Sequence, residues 1–282
     1  MHRAIIGLAL GIGLAPAGAI GAADAPPAAG AADRPHRGSV TVFALTECTD
    51  AGRQVPAPSA EQPVYVLIHC AGQHDVGEAH AADPSPTEAA LDAQLRAALG
   101  VRHYQMATAD HPPSVVLFYN WGIHGNPGAD LADLGLRNLL DRAALVGGRK
   151  FAADLQAALQ AETLTAGATS NQPWGAQLPG MRPTSAAGVL QSVSPLEMFR
   201  RRDRLTSRLI DEIADDVYYF IVSAFDHAAL SRGEQRLLWR TKMSTSARGT
   251  SMAAALPALI RGGAPHFGQE LPEAAQSAQP TG

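Results

Sequence analysis

The alternation of apolar and polar positions divides the chain into strand-like and helix-like segments. Five β-rich runs predict strands at residues 40–45, 64–70, 115–121, 217–225 and 237–243. In the last run, apolar positions alternate with Arg240 and Lys242, which is typical of a strand buried on one face. The run at 115–121 is apolar over a whole strand length, which is typical of a strand buried on both faces.

Helices are predicted where apolar residues recur at helical spacing. Leu91, Leu95 and Leu99 share one helical face, behind a capping box at Ser85-Pro86-Thr87-Glu88 and before Gly100. The same type of box recurs at Ser194-Pro195-Leu196-Glu197. Further helices are predicted around residues 131–140, 151–159, 195–213 and 251–262.

The order of these segments predicts an α+β fold with a mixed or mainly antiparallel sheet, helices on one face, and a helical insertion. We expect a single domain over residues 38–267, with a helical and loop insertion at 122–200. Within it, residues 162–193 are rich in Thr, Ser, Gly, Pro and Gln, which predicts a long loop. Residues 268–282 lack an apolar pattern and are predicted to be a disordered tail.

The first segment of the chain has the pattern of a secretory signal peptide, residues 1–23. Arg3 is followed by an eleven-residue apolar run, Ala4–Leu14, and then by small residues. The run is too short to span a bilayer, and no cysteine precedes Cys48 to accept a lipid. Residues 24–37 are rich in Ala and Pro and predict a disordered leader. We therefore expect a soluble periplasmic protein without stable membrane insertion after signal cleavage.

Composition narrows the classes of partner. Hydrophobic residues make up 46% and charged residues 17%, a balance that excludes global disorder. The formal net charge of −4 offers no basic face, so a nucleic-acid partner is excluded. Aromatic residues are only 5%, which argues against a stacking platform for sugars or bases.

The two cysteines, Cys48 and Cys70, would meet an oxidising compartment in which a disulfide is permitted. If their segments formed one hairpin, Cys48 would face Pro63 and Cys70 would face Thr41. A bond would then require a parallel or offset pairing of the two segments. The sequence alone leaves two alternatives open: a disulfide, or two separate, half-buried thiols.

A short segment, Gly249-Thr250-Ser251-Met252-Ala253-Ala254, resembles the nucleophile box of subtilisin-like serine proteases. The resemblance implies Ser251 as nucleophile, His124 as general base, and Asp92 or Asp130 as the carboxylate that orients it.

The remainder of that family's pattern is missing from the chain. Asp92 lies inside a predicted helix among leucines, and Ala255 stands where the family has proline. A capping role for Thr250 or Ser251 at the start of the final helix explains the segment without catalysis. We therefore interpret the match as coincidental.

The C-terminal third has a second, more extended resemblance. A hydrophobic strand ends in Asp226, a second strand carries the Leu237-Leu238-Trp239-Arg240 box, and a helix closes the chain at 251–262. This pattern resembles an uncharacterised family of secreted envelope proteins and lipoproteins of Gram-negative bacteria, a domain of unknown function. The resemblance implies location and fold only, and the chain departs from the family by its insertion and by the missing lipid-bearing cysteine.

Histidines are concentrated in the first half of the chain. His74, Asp75, Glu78 and His80 could place imidazoles and carboxylates around a metal such as zinc. Their spacing matches no zinc finger and no His-Glu-x-x-His box, so a solvated polar loop is the favoured interpretation.

Taken together, the patterns predict an exported cell-envelope protein that acts as a non-enzymatic binding or structural module, without a cofactor. Another envelope protein is a candidate partner. The alternatives are a serine hydrolase that uses Ser251 and a periplasmic metal-binding protein that uses the His74 and His80 region.

Overall fold

The computed structural model describes residues 38–77, 84–125, 132–170 and 194–281. They belong to one compact unit, Pro35–Gly282. The predicted signal peptide at 1–23, the predicted leader at 24–37 and part of the predicted loop, 171–193, lie outside the described residues.

A mixed sheet of seven strands forms the centre of the fold, in the order β3-β2-β4-β5-β6-β1-β7. The strands are β1 (Ser39–Cys48), β2 (Val64–Gln73), β3 (Tyr104–Met106), β4 (Val115–His124), β5 (Val217–Asp226), β6 (Leu237–Ser246) and β7 (Leu271–Pro280). Strand β2 pairs in parallel with β3 and β4, and every other pairing is antiparallel. The α+β class and the mixed sheet are confirmed.

Eight helices accompany the sheet within the described residues. They are α1 (Asp50–Arg53), α2 (Glu88–Val101), α3 (Ala132–Val146), α4 (Gly148–Ser170), α5 (Pro195–Arg200), α6 (Arg204–Ile213), α7 (His227–Ser231) and α8 (Met252–Gly263). A short 3₁₀ turn, Ala264–His266, follows α8. No helix in these ranges is long and apolar enough to cross a bilayer.

The helices begin where the capping residues predict, except that the cap of α2 lies two residues later than predicted. Ser194 caps α5 as predicted, since its hydroxyl accepts the Glu197 N–H at 3.2 Å. Helix α2 is instead capped by Thr87, which accepts the Ala90 N–H at 3.3 Å. The predicted cap, Ser85, has another role, because its hydroxyl accepts from the Trp121 indole N–H at 2.8 Å.

The larger hydrophobic core lies between one face of the sheet and the helices α2 and α8. Alternate residues of β4, from Val115 to Ile123, belong to it, as the period of two in a strand requires. The predicted stripe of Leu91, Leu95 and Leu99 is fully buried there.

A second core lies on the opposite face of the sheet, where the helical insertion packs. Phe43 belongs to this core, whereas its strand neighbours Val42 and Ala44 belong to the larger one. Val217 and Ala274 complete the sheet side, and helices α3, α4 and α6 cover them. Helices α2 and α8 thus cover one face of the sheet, and the helical insertion covers the other.

The insertion and the loop inside it both begin later in the chain than predicted. Strand β4 continues to His124, two residues past the predicted start of the insertion, because the backbone pairing with β5 extends to Val217. Helix α4 continues to Ser170, so the first residues of the predicted loop at 162–193 are helical.

The predicted disordered tail at 268–282 is wrong. Residues Leu271–Pro280 form strand β7, which pairs antiparallel with β1 from Ser39↔Pro280 to Thr46↔Leu271. The segment has few apolar side chains, so its backbone hydrogen bonds to the edge of β1 stabilise it. Burial of Ala274 in the second core adds to them.

Candidate ligand-binding groove

A groove runs between helix α2 and the end of helix α8. One helical face of α2 lines it, at the spacing i, i+3, i+4, i+7 and i+8: Gln94, Ala97, Ala98, Val101 and Arg102. This stripe lies beside the leucine stripe that fills the core. Helix α2 therefore uses one face for packing and presents an adjacent one to the groove.

Helix α8 and the turn that follows line the other side with the same spacing: Pro257, Ile260, Arg261, Ala264 and Pro265. The groove has a volume of about 630 Å³, within the range of about 300–1,000 Å³ that is typical of small-molecule sites. Alanines on both walls leave this space between the helices.

The apolar walls carry positive charge. Arg102 and Arg261 are the charged residues of the lining, and no Asp or Glu of the described chain lines the groove. Arg261 donates to the carbonyl oxygen of Pro280, a neutral acceptor. Burial lowers the pKa of the nearby His266, and the Arg102 charge lowers it further.

Two polar atoms of the lining are buried without a partner. The Gln94 Oε1 and the Arg102 Nε have no hydrogen-bond partner among the residues that the structure describes. Both atoms are inaccessible to solvent, so they lie beneath the surface of the groove and do not face a bound molecule. Sequence reasoning missed Gln94, Arg102 and Arg261, although their helical spacing was a readable signal.

The residues of the protease-like hypothesis do not converge. Ser251 caps α8 as expected, accepting the Ala254 N–H at 3.3 Å. Asp92 forms an ion pair with Arg96 on α2, 2.6 Å between Oδ2 and Nε. His124 lies on the opposite face of the sheet from α2 and α8, because its neighbour Ile123 points into the core beneath those helices. Asp130, the other candidate carboxylate, lies outside the described residues.

His124 instead belongs to a buried polar cluster between the sheet and the insertion. Burial lowers the pKa of His124, and the charge of Arg142 lowers it further. In the same region, burial raises the pKa of Glu212 to about 8, and the Asp215 carboxylate adds to this increase. The Asp215 carboxylate accepts from Ser246 Oγ at 3.2 Å. The cluster joins α3 and α6 to the ends of β4 and β6.

The candidate metal ligands are described only in part. His74 is exposed, and the Asp75 carboxylate already accepts from the Ile123 N–H at 3.0 Å and from Gln73 Nε2 at 2.9 Å. Glu78 and His80 lie outside the described residues, within which no group of three potential ligands could hold a metal ion. The zinc hypothesis therefore stays a prediction.

The disulfide between Cys48 and Cys70 is not formed, and both cysteines are free and half-buried. Strands β4, β5 and β6 separate β1 from β2, so four strand spacings lie between the two residues. The two cysteines therefore do not lie on neighbouring strands, the arrangement that the limit of about 7 Å between the α-carbons of a disulfide favours. The alternative of two separate thiols is the one observed, and burial raises the pKa of the Cys48 thiol.

Comparison with known proteins assigns no family. No protein-family model and no curated protein matches the chain. Among solved structures, the chain is similar to a PDZ domain protein from Parabacteroides distasonis, with a TM-score of 0.37 and 7% sequence identity. The match covers 86% of this chain and 39% of that one. At this level of similarity, neither a fold name nor a function can be transferred from that protein to this chain. The chain is therefore assigned to no family.

Proposed function

We propose that the chain is an exported, non-enzymatic binding module of the cell envelope, and that the groove between α2 and α8 binds a small, largely apolar molecule. The observation that carries the proposal is the pair of matched helical stripes that line about 630 Å³ of groove. Protein interiors and helix contacts are normally close-packed. An apolar groove of this size between two helices is therefore typical of a binding site.

The chemistry of the lining supports binding rather than catalysis. Apart from Gln94, Arg102 and Arg261, the groove is lined by Ala, Val, Ile and Pro. These side chains supply neither a nucleophile nor a general base, which acyl transfer and hydrolysis require. Ser251 caps a helix and does not line the groove.

Export rests on the sequence. The basic start, the apolar run Ala4–Leu14 and the small residues before Asp24 support a cleaved signal peptide. The resemblance of the C-terminal third to secreted envelope proteins supports the same location.

The binding role is tested with an apolar fluorescent dye, N-phenylnaphthylamine, added to the purified mature protein. We expect its fluorescence to rise on binding, and Ala97→Phe to abolish the rise because the phenyl ring fills the groove. Ala93→Phe is the matched control, since Ala93 is exposed on the same helix and outside the lining. Absence of dye binding, or equal loss in both variants, would contradict the proposal.

A further inference from the structure

We infer that the ligand of this groove is an amphiphile with an apolar chain and an anionic head that binds Arg102 and Arg261. The inference rests on the proposed binding function and specifies the chemical class of the ligand.

The two arginines of the lining fit an anion. Arg102 and Arg261 both contribute guanidinium-bearing side chains to the lining. Guanidinium groups bind carboxylate and phosphate oxygens through charge-assisted, often bidentate hydrogen bonds. With no acidic residue in the described lining, a ligand anion would supply the complementary charge.

The rest of the lining fits an apolar chain. Ala97, Ala98, Val101, Ile260 and Ala264 form the walls together with Pro257 and Pro265. Burial of a hydrocarbon chain against these side chains is favourable. An anionic amphiphile therefore matches both the charged and the apolar part of the lining.

The test is displacement of N-phenylnaphthylamine from the mature protein by monomeric ligands of one chain length: decanoate, decyl phosphate, decanol and decyltrimethylammonium. We expect an anion to displace the dye about tenfold more effectively than decanol, the effect of one charge-assisted contact. The cation should be the weakest competitor. Decanoate and decyl phosphate distinguish a carboxylate head from a phosphate head.

Variants identify the contacts. Arg102→Gln and, independently, Arg261→Gln should reduce anion displacement toward the decanol level, whereas Arg96→Gln should not, because Arg96 pairs with Asp92 outside the groove.

The outcomes separate the inference from the proposed function. Dye binding that all four ligands displace equally would refute the anionic head and leave the binding function intact. Absence of dye binding would refute both. Sedimentation of the protein with anionic lipid vesicles, without displacement by any monomeric ligand, would also refute the inference, because the groove would then contact a membrane surface.

Discussion

Replacing Glu212 by glutamine should stabilise the folded chain, and the gain should increase with pH. Glu212 lies near the end of α6 and is only 8% exposed. Its Oε1 has no hydrogen-bond partner among the described residues, and only the Ser246 backbone N–H opposes the effect of burial. Burial and the Asp215 carboxylate together raise its pKa to about 8, so the folded chain holds this side chain neutral near pH 7.

The magnitude follows from proton linkage. In the unfolded chain the same carboxyl has a pKa of about 4.5, so between about pH 4.5 and 8 it is ionised when unfolded and protonated when folded. A folded pKa above the unfolded one makes stability fall as pH rises through this window. At 1.36 kcal/mol per pKa unit, the cost is about 3 kcal/mol at pH 7 and approaches about 5 kcal/mol above pH 8. Glutamine is neutral throughout and does not incur this cost.

The assay is urea unfolding followed by tryptophan fluorescence, because Trp121 and Trp239 lie in the larger core. The free energies of unfolding of Glu212→Gln and the wild type should be similar at pH 4.5 and should diverge by about 3 kcal/mol at pH 7. Glu273→Gln, at an exposed position in β7, is the control and should show no such divergence. The reasoning would be refuted if the difference in free energy of unfolding between Glu212→Gln and the wild type were no larger at pH 7 than at pH 4.5.

Three further predictions concern stability. Among the described residues, His103, just after α2, is the one non-glycine residue with a positive φ, 61°. Glycine adopts this conformation without steric cost. His103→Gly should therefore raise the free energy of unfolding, measured by urea titration, by about 0.5–1 kcal/mol. A Cβ at Gly263 would lie 2.0 Å from the Met243 sulfur, so Gly263→Ala should lower the free energy of unfolding by about 1–3 kcal/mol. A Cβ at Gly100 would meet no atom of a neighbouring element within 4 Å. Gly100→Ala should therefore raise the free energy of unfolding by about 0.5–1 kcal/mol. Deleting residues 271–282 should expose the edge of β1 that pairs with β7. The backbone amides of β1 should then lose protection from hydrogen exchange. Unchanged protection of these amides would contradict the pairing.

Much of the secondary structure was predictable because it depends on local spacing. Short runs of apolar and β-branched residues located five strands, and leucines at four-residue spacing located α2 with its buried face. The caps at Ser194 and Ser251 were readable for the same reason, since a capping hydroxyl contacts a backbone N–H only three residues away.

The shift of the α2 cap shows the limit of local signals. Ser85 and Thr87 both suit a helix start, and the sequence does not rank them. The long-range hydrogen bond from Trp121 engages Ser85 and leaves Thr87 as the cap.

The sequence by itself determined the α+β class, the main strands and the packing face of α2, because these follow from side-chain periodicity within a few residues. Tertiary structure alone decided which segments meet. Strand order separates Cys48 from Cys70, and strand alternation places His124 on the opposite face from Ser251. Strand β7 forms because the edge of β1 is available to a segment with little hydrophobic pattern of its own. The groove likewise exists only because α2 and α8 lie side by side, which brings together two helical stripes more than 150 residues apart in the sequence.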